Sequence, residues 1–511
     1  MRLRRLFAGA VVCAALASMT VLVPTAAAVP EPTWTDCPPP PPPFPADPRI
    51  RCATLQVPLD YRAPAGRTID IVISRIATAK PGLRRGILLH NGGGPGAPSL
   101  HLPAVYGMIY PREVLDRYDL IGFDPRGIGY STPVTCGRSL AEYPADLLFP
   151  FPAPDGSITR NIEFAKEVAR DCQVNGGEVL PHITTANTAR DMDRIRVALG
   201  ERKLSYNSGS YGSYLGAVYA SLFADRSDRI VIDSNVDPNL VWHRQWALWD
   251  HGNELRFTDL ASWLAERDTT YHLGATPAEI RRKYFELVAR LDANPVRLPD
   301  FLVTGNVFRA VNRGYVYHTL QFPDLADFWV FVDRGGEPSG PLAGPARTAS
   351  ADVPEDNQLA ALLAVTCGDA EAPRDIRHYR REVATNRARF PLMGGMGANL
   401  WPCAFWRAPV EPPVEVTGKG PSNILMVQTL RDPATPYAGA LGMRRTLGQR
   451  TKMVTVDTGN HGAYDPNTPS CATREVHKFL ETGVLPGRDL FCRADPLPAA
   501  NSTSPMLLLG P

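Results

Sequence analysis

The residues in this chain best suited to covalent chemistry are a serine, an aspartate and a histidine far apart in sequence. Ser210 stands in Ser208-Gly209-Ser210-Tyr211-Gly212. Small residues on both sides are what a sharp strand-to-helix turn needs if it is to lift a hydroxyl above a sheet edge. That hydroxyl attacks a carbonyl only where a base takes its proton and an acid holds the base in the right tautomer. Asp432, in Arg431-Asp432-Pro433-Ala434-Thr435-Pro436, and His461, in Gly459-Asn460-His461-Gly462, follow Ser210 in that order. Each of the three signals also has an ordinary reading, as a turn, an Asp-Pro corner or a solvated histidine. Asp237 and Asp457 are rival acids, and His477 is the one histidine beyond His461. Ser208 and Ser213 read as structural.

Acyl transfer further needs donors for a developing oxyanion. The run His90-Asn91-Gly92-Gly93-Gly94-Pro95-Gly96 is nearly free of side chains, so its N–H groups can approach a substrate oxygen. The expected hole takes one amide from Gly93 or Gly94 and one from Tyr211, the residue after the nucleophile. A phosphate-binding loop is the rival reading, but the lysine and Ser/Thr of a P-loop are missing and no dinucleotide spacing fits.

The elements that must position these groups follow from hydrophobic patterning. Strands are expected over 68–76, 86–89, 118–123, 204–206, 230–233, 424–428 and 453–456. Helices are expected over 188–199 with Asn187 as N-cap, and over 211–223, 437–447 and 471–480. This alternation implies an α/β class with a mostly parallel sheet and helices on both faces; the strand-to-helix context of Ser210 and the order Ser, Asp, His make the expected fold an α/β-hydrolase. It breaks between about 241 and 363, where helix-like pieces such as 277–291 and the tryptophans Trp242, Trp246 and Trp249 read as an inserted, mainly helical cap. The expected division is a signal peptide over 1–28, core over 29–240, cap over 241–370, core again over 371–494 and a disordered tail over 495–511.

Basic residues Arg2, Arg4 and Arg5, an uncharged run from Leu6 to Pro30 and Ala26-Ala27-Ala28 form the signal peptide, with Sec and twin-arginine routes both open. No later stretch is apolar enough to span a bilayer. A net charge of +2 with scattered positive residues excludes a nucleic-acid footprint. Of nine cysteines, Cys13 leaves with the signal. The others suggest disulfides of an exported protein, and nearest-neighbour pairing joins Cys37 with Cys52, Cys136 with Cys172, Cys367 with Cys403 and Cys471 with Cys492. No metal-ligand spacing appears, and no cofactor is expected.

Taken together, these segments resemble the secreted tripeptidyl-aminopeptidase-like and prolyl-aminopeptidase-like serine hydrolases of actinobacteria. The resemblance is carried by Val57-Pro58-Leu59-Asp60-Tyr61, Gly93-Gly94-Pro95-Gly96, Asp124-Pro125-Arg126-Gly127-Ile128-Gly129-Tyr130-Ser131, Ser210-Tyr211-Gly212 and Arg431 to Pro436. The segment 459–492 is similar to the family's C-terminal domain. Ser208 departs from the family's usual glycine, and the Asn91 to Gly94 run holds one glycine more. The resemblance implies that Ser210 is nucleophile, Asp432 orienting acid and His461 general base. It further implies short peptide substrates cleaved from a free amino terminus, whose ammonium needs an anion. Asp369 and Glu371 are the candidates, and Arg126 reads as a structural anchor. A secreted esterase or lipase-like hydrolase on the same fold is the alternative, and a binding protein without catalysis is a third reading. Oligomeric state is not legible.

Overall fold

The computed structural model describes residues 31–298, 302–335, 352–464 and 470–493; the expected signal peptide and tail lie outside them. Nine strands form one sheet: β1 (Arg51–Pro58), β2 (Thr68–Ile76), β3 (Gly86–Asn91), β4 (Tyr118–Phe123), β5 (Leu204–Gly209), β6 (Ser227–Asp233), β7 (Ile424–Thr429), β8 (Thr451–Asp457) and β9 (Leu490–Arg493). Their spatial order is β1-β2-β4-β3-β5-β6-β7-β8-β9. Only β1 with β2 and β2 with β4 pair antiparallel; every other neighbouring pair is parallel. β3, β4 and β7 are buried along their whole length, as a parallel sheet covered on both faces requires.

Among the helices that flank the sheet or lie in the insertion are α1 (Thr185–Ala198), α2 (Tyr211–Leu222), α3 (His243–Ala265), α4 (Pro277–Ala293), α5 (Gly305–Tyr315), α6 (Phe322–Arg334), α7 (Asn357–Asp369), α8 (Ile376–Arg389), α9 (Tyr437–Leu447) and α10 (Cys471–Thr482). The first corrects the sequence expectation. Thr184, with extended backbone, caps α1 by accepting from the Asn187 N–H, so Asn187 sits inside the first turn.

The sheet leaves off after β6 and resumes with β7. Between them, α3 to α6 bury an apolar cluster of their own around Phe257, Leu260, Tyr284, Phe308 and Trp329. In contrast, α7 packs into the main core through Ala360, Ala361 and Ala364. Disulfides join Cys37 to Cys52, Cys136 to Cys172, Cys367 to Cys403 and Cys471 to Cys492. No helix among the described residues is long and apolar enough to cross a membrane.

Candidate active site

Seven parallel strands end at one rim of the sheet, where ligands of open α/β folds bind. Ser210 follows β5 there, with φ of 58° and ψ of −128°. A non-glycine residue in that region costs about 1–3 kcal/mol unless its surroundings impose it. Here they do. The Ser210 N–H donates to the Asp233 carbonyl at the end of β6 (3.0 Å), and Ser213 Oγ donates to the Ser210 carbonyl (2.6 Å). Strand and helix approach so closely that a Cβ at Gly212 would lie 1.8 Å from Ser208 Oγ, and one at Gly216 2.7 Å from the Tyr206 ring. Ser208 fits because Gly212 leaves it room, and its hydroxyl donates to the Asn91 carbonyl (2.6 Å).

The glycine run crosses above this turn. A Cβ at Gly93, where φ is +80°, would sit 3.1 Å from the Gly209 carbonyl and 3.5 Å from Ser210 Cβ. The Gly93 amide, however, donates to Asn91 Oδ1 (3.0 Å), so of the two glycines named from sequence only Gly94 keeps an unengaged N–H and lines the cavity beside Ser210 and Tyr211.

His461 and Asp432 meet at the ends of β8 and β7. The imidazole Nδ1 lies 3.0 Å from both Asp432 carboxylate oxygens. Asp432 also accepts from the Ala434 and Thr435 amides (2.8 Å each) and from Thr435 Oγ1 (2.9 Å). Burial works against the charge on each partner, but their mutual attraction wins. Asp432 is thereby held below the usual carboxylate value and His461 is raised above the usual imidazole value. The rival acids are elsewhere: Asp237 accepts from Asn239, and Asp457 pairs with Arg431. His477 contacts Tyr464.

Ser210 Oγ and His461 Nε2 make no hydrogen bond to one another. They are linked through Asp233, a residue that sequence reasoning overlooked. Its carbonyl holds the Ser210 turn, while its carboxylate accepts from the Ala463 (2.9 Å) and Tyr464 (2.8 Å) amides just after His461. An aspartate ending a buried strand was the available signal.

A cavity of about 260 Å³ opens on Ser210. Trp242, Trp246 and Trp249 line it as the roof expectation has it, joined by Trp401, Phe149 and Arg313, which it did not name. Trp246 and Trp401 lie 4.3 Å apart, centroid to centroid. Asp369 and Glu371 are absent from this lining. Asp369 is buried behind Trp242 and takes hydrogen bonds from the Thr185 amide (2.6 Å), Thr185 Oγ1 (2.6 Å) and Trp242 Nε1 (3.0 Å). Glu371 is exposed and faces Arg374 at 3.2 Å. Neither stands ready for a substrate ammonium, because packing of Trp242 against α7 consumes the one and solvent surrounds the other. Arg126 is fully buried, bonded to Asp191 (2.6 and 2.7 Å) and to the Pro58, Leu59 and His182 carbonyls.

Known proteins are similar to this chain in sequence. The TAP-like protein family matches residues 392–492, which carry both Asp432 and His461. Tripeptidyl aminopeptidase of Streptomyces lividans is 34% identical over 469 residues, covering 90% of this chain and 86% of that protein. The chain belongs to the tripeptidyl aminopeptidase family. As a member of that family it is a serine hydrolase of the α/β-hydrolase fold. Carboxylesterase B of Mycobacterium tuberculosis is 31% identical over 91% of this chain and 90% of its own length. Serine protease Hip1 of the same organism is 29% identical, with 90% of each chain covered.

Proposed function

We propose that this tripeptidyl aminopeptidase family member is a secreted exopeptidase that releases short peptides from free amino termini through an acyl-enzyme on Ser210. The observation that carries the reading is the bidentate Asp432 contact to His461 Nδ1, which leaves Nε2 as the proton acceptor. Ser210 Oγ attacks the scissile carbonyl as His461 takes its proton, a contact that closes when substrate binds. The tetrahedral oxyanion accepts from the Gly94 and Tyr211 amides. His461 then returns the proton to the leaving amine as the C–N bond breaks. Water deprotonated by His461 opens the ester, the peptide acid leaves and Ser210 regains its proton.

Residues 29–240 and 371–494 act as the hydrolase unit and 241–370 as the roof that limits peptide length. Export rests on the signal-like residues 1–28 and on the disulfides. Mature protein beginning at Val29 in the culture medium is the expected finding. The functional test is kcat/KM on a tripeptide anilide with a free amine against its acetylated twin and a short-chain p-nitrophenyl ester. Acetylation should slow turnover strongly, and equal rates overturn the exopeptidase reading. The aromatic lining, which holds no carboxylate among the described residues, favours an esterase as second reading. An ester-only profile would establish it.

A further inference from the structure

Arg313, on α5, is a buried cation without a counter-ion. The residue is 5% exposed, lines the cavity on Ser210, and forms no ion pair among the described residues. Its guanidinium is clamped by rings, with Cζ 4.1 Å from the Phe149 centroid and 4.3 Å from that of Trp249. One hydrogen bond is made, from Nη2 to Tyr317 Oη (3.1 Å); Nε is buried with no acceptor, and Nη1 has none either. A charge removed from water is ordinarily paired, and aromatic faces stabilise a guanidinium only in part. The ring clamp fixes the plane of the fork, which leaves its N–H edge as the group seeking a partner.

The position is close to the chemistry. One turn on from Arg313, the Tyr317 carbonyl accepts from the His461 N–H (2.7 Å), and the Tyr317 ring packs edge-on to the imidazole at 5.1 Å. The charge on Arg313 is near enough to oppose protonation of His461. No carboxylate of the protein lines the cavity among the described residues, so the missing anion must come from the ligand.

We propose that Arg313 is a specificity residue that binds a carboxylate of the substrate in the Ser210 cavity. This deepens the peptidase reading and relies on Ser210 as the site of acylation. Two parts of a peptide carry such a group: an acidic side chain before the scissile bond, or the free α-carboxylate of the leaving segment.

The test compares isosteric twins. For the first source, free-amine tripeptide anilides carry Glu or Gln at each of the three positions in turn. For the second, a tetrapeptide acid is set against its amide, with products separated by chromatography. The carboxylate twin of at least one pair should be cleaved at least tenfold faster in kcat/KM. Arg313→Gln should collapse that ratio towards one, and Arg313→Lys should restore part of it, because lysine keeps the charge but loses the fork. A purely structural role of Arg313 would lower both twins together and leave the ratio in place, which counts against the assignment; wild-type-like melting of Arg313→Gln shows that the comparison is made on folded protein. Protection of Ser210 from a fluorophosphonate by a glutamate peptide and its glutamine twin, in wild type and Arg313→Gln, reads the same preference without turnover. Peptides that protect by charge yet are not cleaved would support Arg313 and overturn the peptidase reading. Twins that are cleaved and protect equally, or a ratio unchanged in Arg313→Gln, overturn the assignment of Arg313 while leaving that reading standing.

Discussion

The Ser210 turn and the His461 loop share an anchor at the end of β6 but differ in what else holds them. Ser210 is held from below, by strand ends and by contacts within a few residues: the Asp233 carbonyl, Ser213 and the Gly212 approach to Ser208. His461 is held from both sides: from below by Asp432, by the Asp233 carboxylate and by Thr429 Oγ1, which donates to the Asn460 carbonyl (2.6 Å), and from above by the inserted helices. Asn460 Oδ1 accepts from the Thr319 amide (3.0 Å), from Thr319 Oγ1 (2.9 Å) and from Arg256 Nη2 (3.2 Å), while His461 N–H reaches Tyr317. Trp249 Nε1 on α3 likewise donates to the Ala434 carbonyl in the acid loop (2.6 Å). The Ser210 turn is therefore a property of the sheet alone, whereas the His461 loop is shared between the sheet and the inserted helices. The helices that line the Ser210 cavity also contact the Asn460–His461 loop, so under the proposed mechanism a change in one is expected to reach the other.

Removing a group that reacts on either side gives the largest effect. Ser210→Ala should bring turnover to background and abolish fluorophosphonate labelling, with thermal melting unchanged because the methyl fits the same turn. Normal turnover would remove Ser210 from the mechanism. Asp432→Asn should retain the fold and lose roughly 10⁴-fold in kcat by favouring the wrong imidazole tautomer. An undiminished rate in that variant, with loss in Asp237→Asn, would transfer the acid role to Asp237.

The same pair sets a pH dependence. Base catalysis needs neutral His461, whose value in the fold is raised, so kcat/KM should rise through an apparent pKa above 6.5. In Asp432→Asn that midpoint should fall, since burial alone depresses an imidazole. For stability the signs are opposite on the two partners. The raised His461 contributes stability below its unfolded value, and this fades as pH climbs through its folded value. The lowered Asp432 contributes above its unfolded value, and this fades as pH falls through its folded one. A pH profile of residual activity that does not move in Asp432→Asn would break the coupling.

Detaching the base loop from the helices above it comes next. Asn460→Ala strands the donors of Thr319 and Arg256, and should cost about 1–3 kcal/mol of stability and roughly 10–100-fold in kcat/KM through misplacement of His461. Full activity would show that the β7 and β8 ends position the base unaided. On the other side, Gly212→Ala should destabilise by about 1–3 kcal/mol through overpacking on Ser208, and Ser208→Gly in the same chain should recover most of it. Calorimetry of the two single variants and the double one measures this coupling.

Asp369→Asn should have the smallest effect on specificity. Its carboxylate is spent on Thr185 and Trp242, so a change in melting temperature is expected with no change in the preference for free over acetylated amines. A loss of that preference would return Asp369 to the substrate site.

Strand by strand, what the sequence by itself determined was the local part. Apolar runs followed by polar or glycine-bearing loops mark β3, β4, β5, β6, β7 and β8 to within a few residues, because a buried parallel strand and the turn after it are specified by neighbouring residues. The order of Ser210, Asp432 and His461 along those strand ends was legible for the same reason. The tertiary structure decided the rest. Asn91 takes the Gly93 amide and leaves that of Gly94 to the cavity, a choice between adjacent glycines that depends on how one side chain turns. Trp242 folds over Asp369 and makes internal a carboxylate that looked available. Phe149, Trp249, Arg313 and Trp401 come from four distant segments, and nothing in their spacing announces that they share a wall. Their meeting depends on the packing of whole helices across hundreds of residues, and periodicity within one segment carries no information about it.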